Sequence, residues 1–183
     1  AKKSFNELFW DEEGGFCRDC LPEPGGGGAF TPNQVFTVSL PYPLLSRERA
    51  RRMLESVKDR LLTPFGLRTL APGSPGYAGR YAGTRQEREA AYHRGSVWPW
   101  LLGPYITAYL KTFGRTPDNL EYAGKLVKPL LDYASGRGMG TIPELFDGSE
   151  PHLPRGCVSQ AWSVAEILRV LCDELGCPEP PAP

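Results

Sequence analysis

The sequence predicts an all-α domain in which helices are joined by loops of unequal length. Several segments repeat apolar residues at helical spacing, with capping residues before them and glycines after them. Strand-like alternation is weak throughout the chain. The links between helices alternate between short turns and long loops that use many of the 21 glycines and 19 prolines. This pattern suits a toroid of paired helices with a site built from the long loops, and it suits a plain helical bundle equally well.

Length and composition are those of one ordinary globular domain. The 183 residues are 40% hydrophobic and 23% charged. The 21 basic residues balance the 21 acidic ones, which gives no support for a nucleic-acid partner or an anionic membrane. No apolar segment is long enough to cross a bilayer. We expect residues 1–177 to form the domain and residues 178–183 to be a disordered, proline-rich tail.

The N-terminus and the cysteines bear on the setting of the protein. The chain lacks an initiator Met and the apolar core of a signal peptide, so we interpret it as a fragment or a processed piece. Five cysteines cannot all pair internally, which favours a reducing, cytoplasmic compartment. Cys17 and Cys20 have the spacing of half a zinc site, but Cys157, His152 and His93 repeat no ligand spacing. We therefore favour free thiols and predict no metal and no cofactor.

The N-terminal segments carry few helical signals. Residues 5–10 predict the end of a helix, and residues 11–20 predict a loop or a short hairpin. The glycines of Gly25–Gly28 predict a flexible surface connection. They lack the spacing and the following helix of a phosphate-binding loop, so a nucleotide site is not expected.

A helix is expected to begin at Thr31 and to end before Pro41. Thr31 has the side chain of an N-cap, and Pro32 suits the first helical position. Asn33 and Gln34 then lie in the first turn of this helix. Side chains of a first turn often face a site, although capping is an equally simple role for them.

The next two helices have clear apolar faces. Ser46 is expected to cap the first of them, which has one apolar face from Ala50 to Leu61. The long segment 63–83, rich in Gly, Pro and Tyr, is predicted to be an ordered loop. The second helix follows residues 92–100 and ends at Gly114.

The last two helices follow the same pattern. Thr116 is expected to cap a helix that Pro129 kinks and that residues 136–140 end. The final helix is predicted to run from about residue 159 to residue 175. The side chains expected to face inward from it are Ala161, Trp162, Ala165, Leu168 and Leu171.

Glu144 is the first candidate for a catalytic residue. It lies between Pro143 and Leu145, and a carboxylate with apolar neighbours has a tunable pKa. It is either a general base or nucleophile, or a surface or capping glutamate, and its neighbours make the two roles about equally plausible. Asp147 is a second acid in the same stretch, but its Asp-Gly-Ser sequence is more typical of a turn.

Tryptophans and a glutamine near Glu144 have the chemistry of a sugar site. The flat ring of a tryptophan can stack on a sugar, and an amide can bond to hydroxyls. We assign Trp98 to the site because it lies beside a glycine turn, and Trp100 to the core. Gln160 either binds hydroxyls or caps a helix. Trp162 is expected to turn toward the core if its segment is helical.

Three polar residues precede Trp98. His93 has no Ser or Cys partner in a recognisable nucleophile motif, so a catalytic triad is not expected. Together with Tyr92 and Arg94 it has the donors needed to bind sugar hydroxyls.

Several motifs resemble one family. The residues YHRGSVWPWLLGPYITAYLK and IPELFDGSEPHLPRGCVSQAWSVAEILRVL resemble the C-terminal, amylo-α-1,6-glucosidase domain of bacterial and archaeal-type glycogen debranching enzymes. The segments FWDEEGGF, TPNQVFTVSLPYPLL and LLTPFGLRTLAP look like the intervening family segments in the expected order. The resemblance extends to about Leu175.

The resemblance implies a fold, a reaction and roles for residues. It implies the later half of an (α/α)6 toroid and hydrolysis, with inversion, of α-1,6-linked glucose stubs in glycogen, limit dextrin or a related malto-oligosaccharide. Glu144 takes the place of the general base. Gln160, Trp162 and Trp98 would line the sugar subsite.

The resemblance also leaves one catalytic group unaccounted for. Inversion needs two carboxyl groups roughly 6.5–9.5 Å apart. The general acid of the family is an aspartate in an earlier segment, and Asp11, Asp19 and Asp132 lie in other motifs. We therefore expect the chain to need an upstream half and to be inactive alone. The alternatives are a non-catalytic α-glucan-binding fragment of the same fold and, least favoured, a zinc-bound helical domain.

Overall fold

The fold mixes helices with two antiparallel sheets, so the expected all-α class, a partial (α/α)6 toroid with long loops and at most a short hairpin, is wrong. The computed structural model describes residues 1–21 and 29–176, and these form seven α-helices, a two-stranded sheet and a five-stranded sheet. Each strand has only two or three residues, which is too short to produce a visible alternation of apolar and polar positions. The expected Gly25–Gly28 connection and the tail at residues 178–183 lie outside the described residues.

Helices and strands are interspersed along the described residues. The helices are α1 (Lys2–Leu8), α2 (Phe36–Ser39), α3 (Arg47–Arg60), α4 (Arg85–Tyr92), α5 (Leu102–Phe113), α6 (Pro117–Ser135) and α7 (Ala161–Arg169). Short 3-10 helices cover Pro32–Val35 and Pro99–Leu101, and a π-helical turn covers Val170–Glu174. The strands are β1 (Trp10–Asp11), β2 (Phe16–Cys17), β3 (Leu62–Thr63), β4 (Gly66–Arg68), β5 (Val97–Trp98), β6 (Leu145–Phe146) and β7 (Pro154–Arg155). No helix in the described part of the chain is long and apolar enough to cross a membrane.

The helix ends follow local side-chain chemistry. The hydroxyls of Ser46 and Thr116 each accept a hydrogen bond from the backbone N–H three residues on, both at 3.3 Å, which confirms these two predicted caps. Helix α5 ends at Gly114, whose φ of 94° suits glycine. Helix α4 lies in a segment for which no helix was predicted, although Thr84 and Glu87 form a reciprocal capping box at its start.

The five-stranded sheet brings distant segments together. Its strands lie in the order β3-β4-β5-β6-β7, with every neighbouring pair antiparallel. Leu67 of β4 pairs with Trp98 of β5, and Val97 of β5 pairs with Phe146 of β6. Helix α4 lies in the connection from β4 to β5, and α5 and α6 lie in the connection from β5 to β6. The sheet therefore places Trp98 next to the segment that contains Glu144.

The core lies where α5 packs against α2, α3, α6 and α7. Met53 and Val57 of α3 and Tyr105 and Ile106 of α5 are at most 1% exposed. Burying one side chain of this size stabilises a fold by roughly 1.5–3 kcal/mol. This packed layer holds the sheet and its loops in place.

Helix α7 packs through a different face from the one expected. Trp162 and Leu168, predicted to point inward, are 49% and 54% exposed, whereas Ser163, Ile167 and Val170 are buried. Both sets of residues have helical spacing, and both contain apolar side chains. Periodicity therefore did not single out the buried face, and Trp162 is left on the outer surface of the helix.

Candidate functional site

Glu144 is held by two donors immediately before strand β6. Its Oε2 atom accepts a hydrogen bond of 2.9 Å from the backbone N–H of Cys157, and its own backbone N–H donates to the carbonyl of Cys157 at 2.9 Å. The phenol of Tyr92 donates to Oε1. We call the two hydrogen bonds to the carboxylate the clamp. A carboxylate has about four acceptor positions, so the clamp occupies about half of them. Glu144 is therefore oriented and can still accept a hydrogen bond from another group.

Gly156 allows the loop that follows β7 to lie against the carboxylate of Glu144. Its φ is 68°, a conformation that side-chain-bearing residues rarely adopt. A β-carbon at this position would overlap Oε2 of Glu144 and lie 3.0 Å from its Cδ atom. The clamp therefore depends on glycine at position 156.

Tyr92 connects Glu144 with an aromatic cluster. Partial burial and, after it, the hydrogen bond to Glu144 raise the pKa of the Tyr92 phenol, which therefore stays protonated as a donor. Its carbonyl accepts a hydrogen bond of 3.0 Å from Nε1 of Trp98, and the two rings meet edge to face at 4.8 Å. The sequence predicted that Tyr92 binds sugar directly; in the structure its hydroxyl is bonded to Glu144.

A cavity of about 430 Å³ lies beside Tyr92, within the usual size range of small-molecule sites. The ring of Tyr92 contacts His93 and Trp98, each at 4.8 Å between centroids, and both of these residues line the cavity. Glu144 therefore lies one side chain away from the cavity wall. The lining consists of Asp19, Thr31, Pro32, Asn33, Thr69, His93, Trp98, Trp100, Leu101 and Trp162.

Three tryptophans form much of this wall. The ring of Trp162 lies 5.8 Å from that of Trp98 and 6.2 Å from that of Trp100. His93 stacks on Trp98 with an interplanar angle of 7°. Trp100, which we assigned to the core, is partly buried and lines the cavity as well. Such flat apolar faces are suited to contact with a sugar ring.

The other candidate binding residues divide into two groups. Asn33 lines the cavity. Gln34 is buried, accepts a hydrogen bond of 3.3 Å from the backbone of Cys17, and lies outside the cavity lining. Gln160 and Arg94 are also outside the lining, with Gln160 at the N-cap position of α7 and Arg94 on the surface.

Asp19 is a cavity residue that the sequence analysis did not select. Its Oδ2 atom accepts hydrogen bonds from the Thr31 hydroxyl at 2.6 Å and from the Asn33 amide at 3.2 Å. Thr31 was expected to cap the next helix, but that 3-10 helix has no side-chain cap bond and the hydroxyl reaches Asp19 instead. The signal that could have suggested Asp19 is its position between two cysteines, which drew attention to metal binding instead.

Asp147 has a structural role, consistent with the turn favoured from its sequence. Its side chain is 4% exposed and forms an ion pair of 3.0 Å with Arg155. Its Oδ1 atom also accepts a hydrogen bond of 2.8 Å from the backbone N–H of Tyr81, and its carbonyl lies 2.8 Å from Nδ1 of His152. These contacts hold the loop between β6 and β7 in place.

Within the part of the chain that the structure describes, the cysteines do not assemble into a metal site. Among residues 1–21 and 29–176, no three His, Cys, Asp or Glu side chains are grouped closely enough to hold a metal ion. Cys17 is buried, and burial raises the pKa of its thiol to about 12. Because zinc binds the thiolate, this environment disfavours Cys17 as a ligand.

Comparison with known protein families gives one match that covers most of the chain. The family model described as amylo-alpha-1,6-glucosidase matches residues 1–169. The matched region contains Glu144, the clamp around it and every residue that lines the cavity. Membership of this family implies glycosidase-related chemistry with an α-glucan as the substrate. The chain belongs to the amylo-alpha-1,6-glucosidase family.

Proposed function

We propose that this chain supplies the base-bearing wall of an inverting α-1,6-glucosidase that removes glucose stubs from branched α-glucans. Glu144 accepts a proton from water as the water oxygen attacks the anomeric carbon. The glycosidic bond breaks, and its oxygen leaves with a proton from a general acid. The observation that carries this proposal is the oriented carboxylate of Glu144, which Tyr92 connects to the wall of a cavity with three tryptophans.

A general base must keep its orientation and also retain room for water. Tyr92 fixes one oxygen of Glu144, and the backbone of Cys157 fixes the other. Both donors are neutral, so the negative charge of the carboxylate is not cancelled by an ion pair. The remaining acceptor positions are available for a water molecule.

The cavity has the composition of a glucosyl subsite. Its volume of about 430 Å³ and its tryptophan faces suit one sugar ring in stacking contact. His93 and Asn33 add polar groups for hydroxyls. We assign the stacking role to Trp162, which is 49% exposed. Trp98 is 5% exposed and stacks on His93, so we give it a lining role only, as the family resemblance does.

The general acid is proposed to come from a segment outside this sequence. Asp147 is buried, is paired with Arg155 and does not line the cavity, so it does not face a leaving group there. Asp19 lies in the cavity wall, but in a different motif from the acid-bearing segment of the family. On this proposal, the chain is one part of a longer enzyme.

The decisive experiment replaces Glu144 by glutamine in the enzyme that also contains the general acid. Because loss of a general base costs about 10²-fold to 10⁴-fold in rate, we expect kcat for glucose release from limit dextrin to fall by that factor. Binding of malto-oligosaccharide should be retained. The matched control is Glu89→Gln, which changes an exposed glutamate paired with Arg85 and should leave kcat unchanged.

Two results would contradict the proposal. Activity of Glu144→Gln within a few-fold of wild type would remove Glu144 from the role of base. The wild-type reaction, followed by NMR, should release β-glucose first, since inversion of an α-linkage gives the β-anomer. Initial release of α-glucose would exclude inversion.

A second candidate function is α-glucan binding without cleavage. It is favoured by the cavity wall, whose described lining residues all belong to this chain and include none that matches the acid of the family. Trp162→Ala tests it, because Trp162 is 49% exposed and its removal should leave the fold intact. Affinity for maltotetraose lost in this variant, with no turnover when the acid-bearing part is supplied, would favour binding alone.

A further inference from the structure

The carboxylate of Asp19 has no role in the reaction as written above, although it lies in the same cavity wall as the tryptophans. Asp19 is exposed, and it is the only acidic or basic side chain, histidine apart, among the described residues that line the cavity. A single negative charge among aromatic and small polar groups needs a ligand with hydrogen-bond donors.

The side chain of Asp19 is oriented by two donors from another segment. Thr31 and Asn33 both donate to Oδ2, at 2.6 and 3.2 Å. The hydroxyl of Thr31 is diverted to this bond and leaves the following 3-10 helix without a side-chain cap. Both donors bond to Oδ2, so neither of them occupies the acceptor positions of Oδ1.

We propose that Asp19 anchors the glucosyl ring by accepting hydrogen bonds from two hydroxyls on neighbouring ring carbons. This inference rests on the function proposed above and adds a specificity-determining residue to it. Hydrogen bonds from a neutral hydroxyl to a charged carboxylate are stronger than those between neutral groups, and two parallel bonds also fix orientation. With one face of the sugar against tryptophan, this pair of bonds sets the rotation of the ring in the cavity.

Asp19 acts as an acceptor in this arrangement and not as the missing acid. A general acid must give a proton to the leaving oxygen in every turnover. The contacts of Asp19 with Thr31 and Asn33 both use it as an acceptor. The negative charge also selects neutral sugars, because an anionic sugar in the same place would meet a like charge.

The test is calorimetric titration of the protein with maltotetraose. Asp19→Asn keeps the size of the side chain and removes its charge, so we expect affinity to fall roughly 10-fold to 100-fold. Thr31→Val should have a smaller effect in the same direction, because it loosens Asp19 without removing it. Asp132→Asn, an exposed aspartate on α6 paired with Lys128, is the matched control and should bind like wild type.

Two further probes examine the chemistry of the anchor. In a series of monodeoxy methyl α-glucosides, wild type should bind the two compounds that lack an anchored hydroxyl more weakly than it binds methyl α-glucoside. Asp19→Asn should bind these two compounds about as weakly as it binds methyl α-glucoside. Methyl α-glucuronide, which carries a carboxylate, should bind Asp19→Asn more tightly than wild type. If Asp19→Asn does not fold, the deoxy series on wild type decides alone, with two adjacent hydroxyls expected to dominate.

The outcomes separate this inference from the proposed function. If wild type binds maltotetraose and Asp19→Asn binds it equally tightly, Asp19 is not the anchor. The proposed function is not affected by that result. No wild-type binding to any α-glucan overturns both. In the complete enzyme, a loss of kcat in Asp19→Asn with unchanged KM would place Asp19 in the chemical step and overturn the anchor.

Discussion

Strand β6 has a carboxylate on each side, and the two are used differently. Glu144 precedes the strand and accepts hydrogen bonds from a phenol and a backbone amide. Asp147 follows it, is 4% exposed, and pairs with the guanidinium of Arg155. Neutral donors orient Glu144 and leave its charge available to a ligand, whereas the ion pair at Asp147 neutralises the charge and stabilises a loop. The hydrogen-bond and ion-pair partners of each carboxylate, and not its residue type, distinguish the catalytic candidate from the structural acid.

The largest expected effect on stability belongs to Asp147. Asp147→Ala removes the bonds to Arg155 and to the Tyr81 backbone and leaves a guanidinium partly buried without its partner. We expect the free energy of unfolding to fall by about 3 kcal/mol, measured by urea denaturation. Asp132→Ala, which removes an exposed pair with Lys128, should cost no more than about 0.5 kcal/mol. Similar values for the two variants would remove the structural role assigned to Asp147.

Tyr92→Phe tests whether orientation of Glu144, the other carboxylate, matters for the reaction. The variant keeps the ring that packs against Trp98 and removes the hydroxyl that orients Glu144. Because a hydrogen bond to a charged group contributes about 1.5–3 kcal/mol, kcat of the complete enzyme should fall roughly 10-fold to 100-fold. KM should change little, since the hydroxyl contacts the base and not the substrate.

A conservative control and an opposing result complete this test. Tyr42→Phe changes a tyrosine that is 88% exposed and should have wild-type kinetics. A rise in KM with unchanged kcat would return Tyr92 to the direct sugar contact that its sequence position first suggested.

The longer helices could be predicted from the sequence because their signals are local. Ser46 and Thr116 cap helices through bonds to the backbone three residues away. The strands could not be predicted, because two residues such as Val97 and Trp98 form a strand only when partners from distant segments lie beside them. The buried face of α7 was missed for a related reason, since apolar residues occupy both of its sides.

The candidate site was predictable in part. Glu144 could be selected from its apolar neighbours, and Trp98 from the adjacent glycine turn. The partners of Glu144 could not, because Tyr92 lies 52 residues away and Cys157 lies 13 away, and the sheet and its loops bring them together. Asp19 shares the cavity with Trp98 without any regular spacing in the sequence, because its bonds to Thr31 and Asn33 join it to another segment of the same wall.

The smallest expected effect is a dependence of stability on pH, which should distinguish the Tyr92–Glu144 contact from the Asp147–Arg155 contact. The pKa of Tyr92 is raised above its ordinary value of 10.0 by partial burial and by the bond to Glu144. The unfolded chain therefore ionises this phenol at lower pH than the folded protein does. The stability that the protonated phenol contributes is fully present below about pH 10 and is lost as pH rises through the folded pKa. The difference in unfolding free energy between wild type and Tyr92→Phe should accordingly narrow by about 1 kcal/mol between about pH 8 and pH 11.

Unfolding by urea at several pH values measures this narrowing, and subtraction of the variant cancels the other tyrosines. The difference between wild type and Asp147→Ala should stay nearly constant over the same range, because the contacts that this variant removes do not involve the Tyr92 phenol. A constant difference for Tyr92→Phe as well would mean that the Tyr92 phenol ionises alike in the folded and unfolded chains. The hydrogen bond to Glu144 would then contribute nothing to the fold, and orientation of the base would rest on the backbone of Cys157 alone.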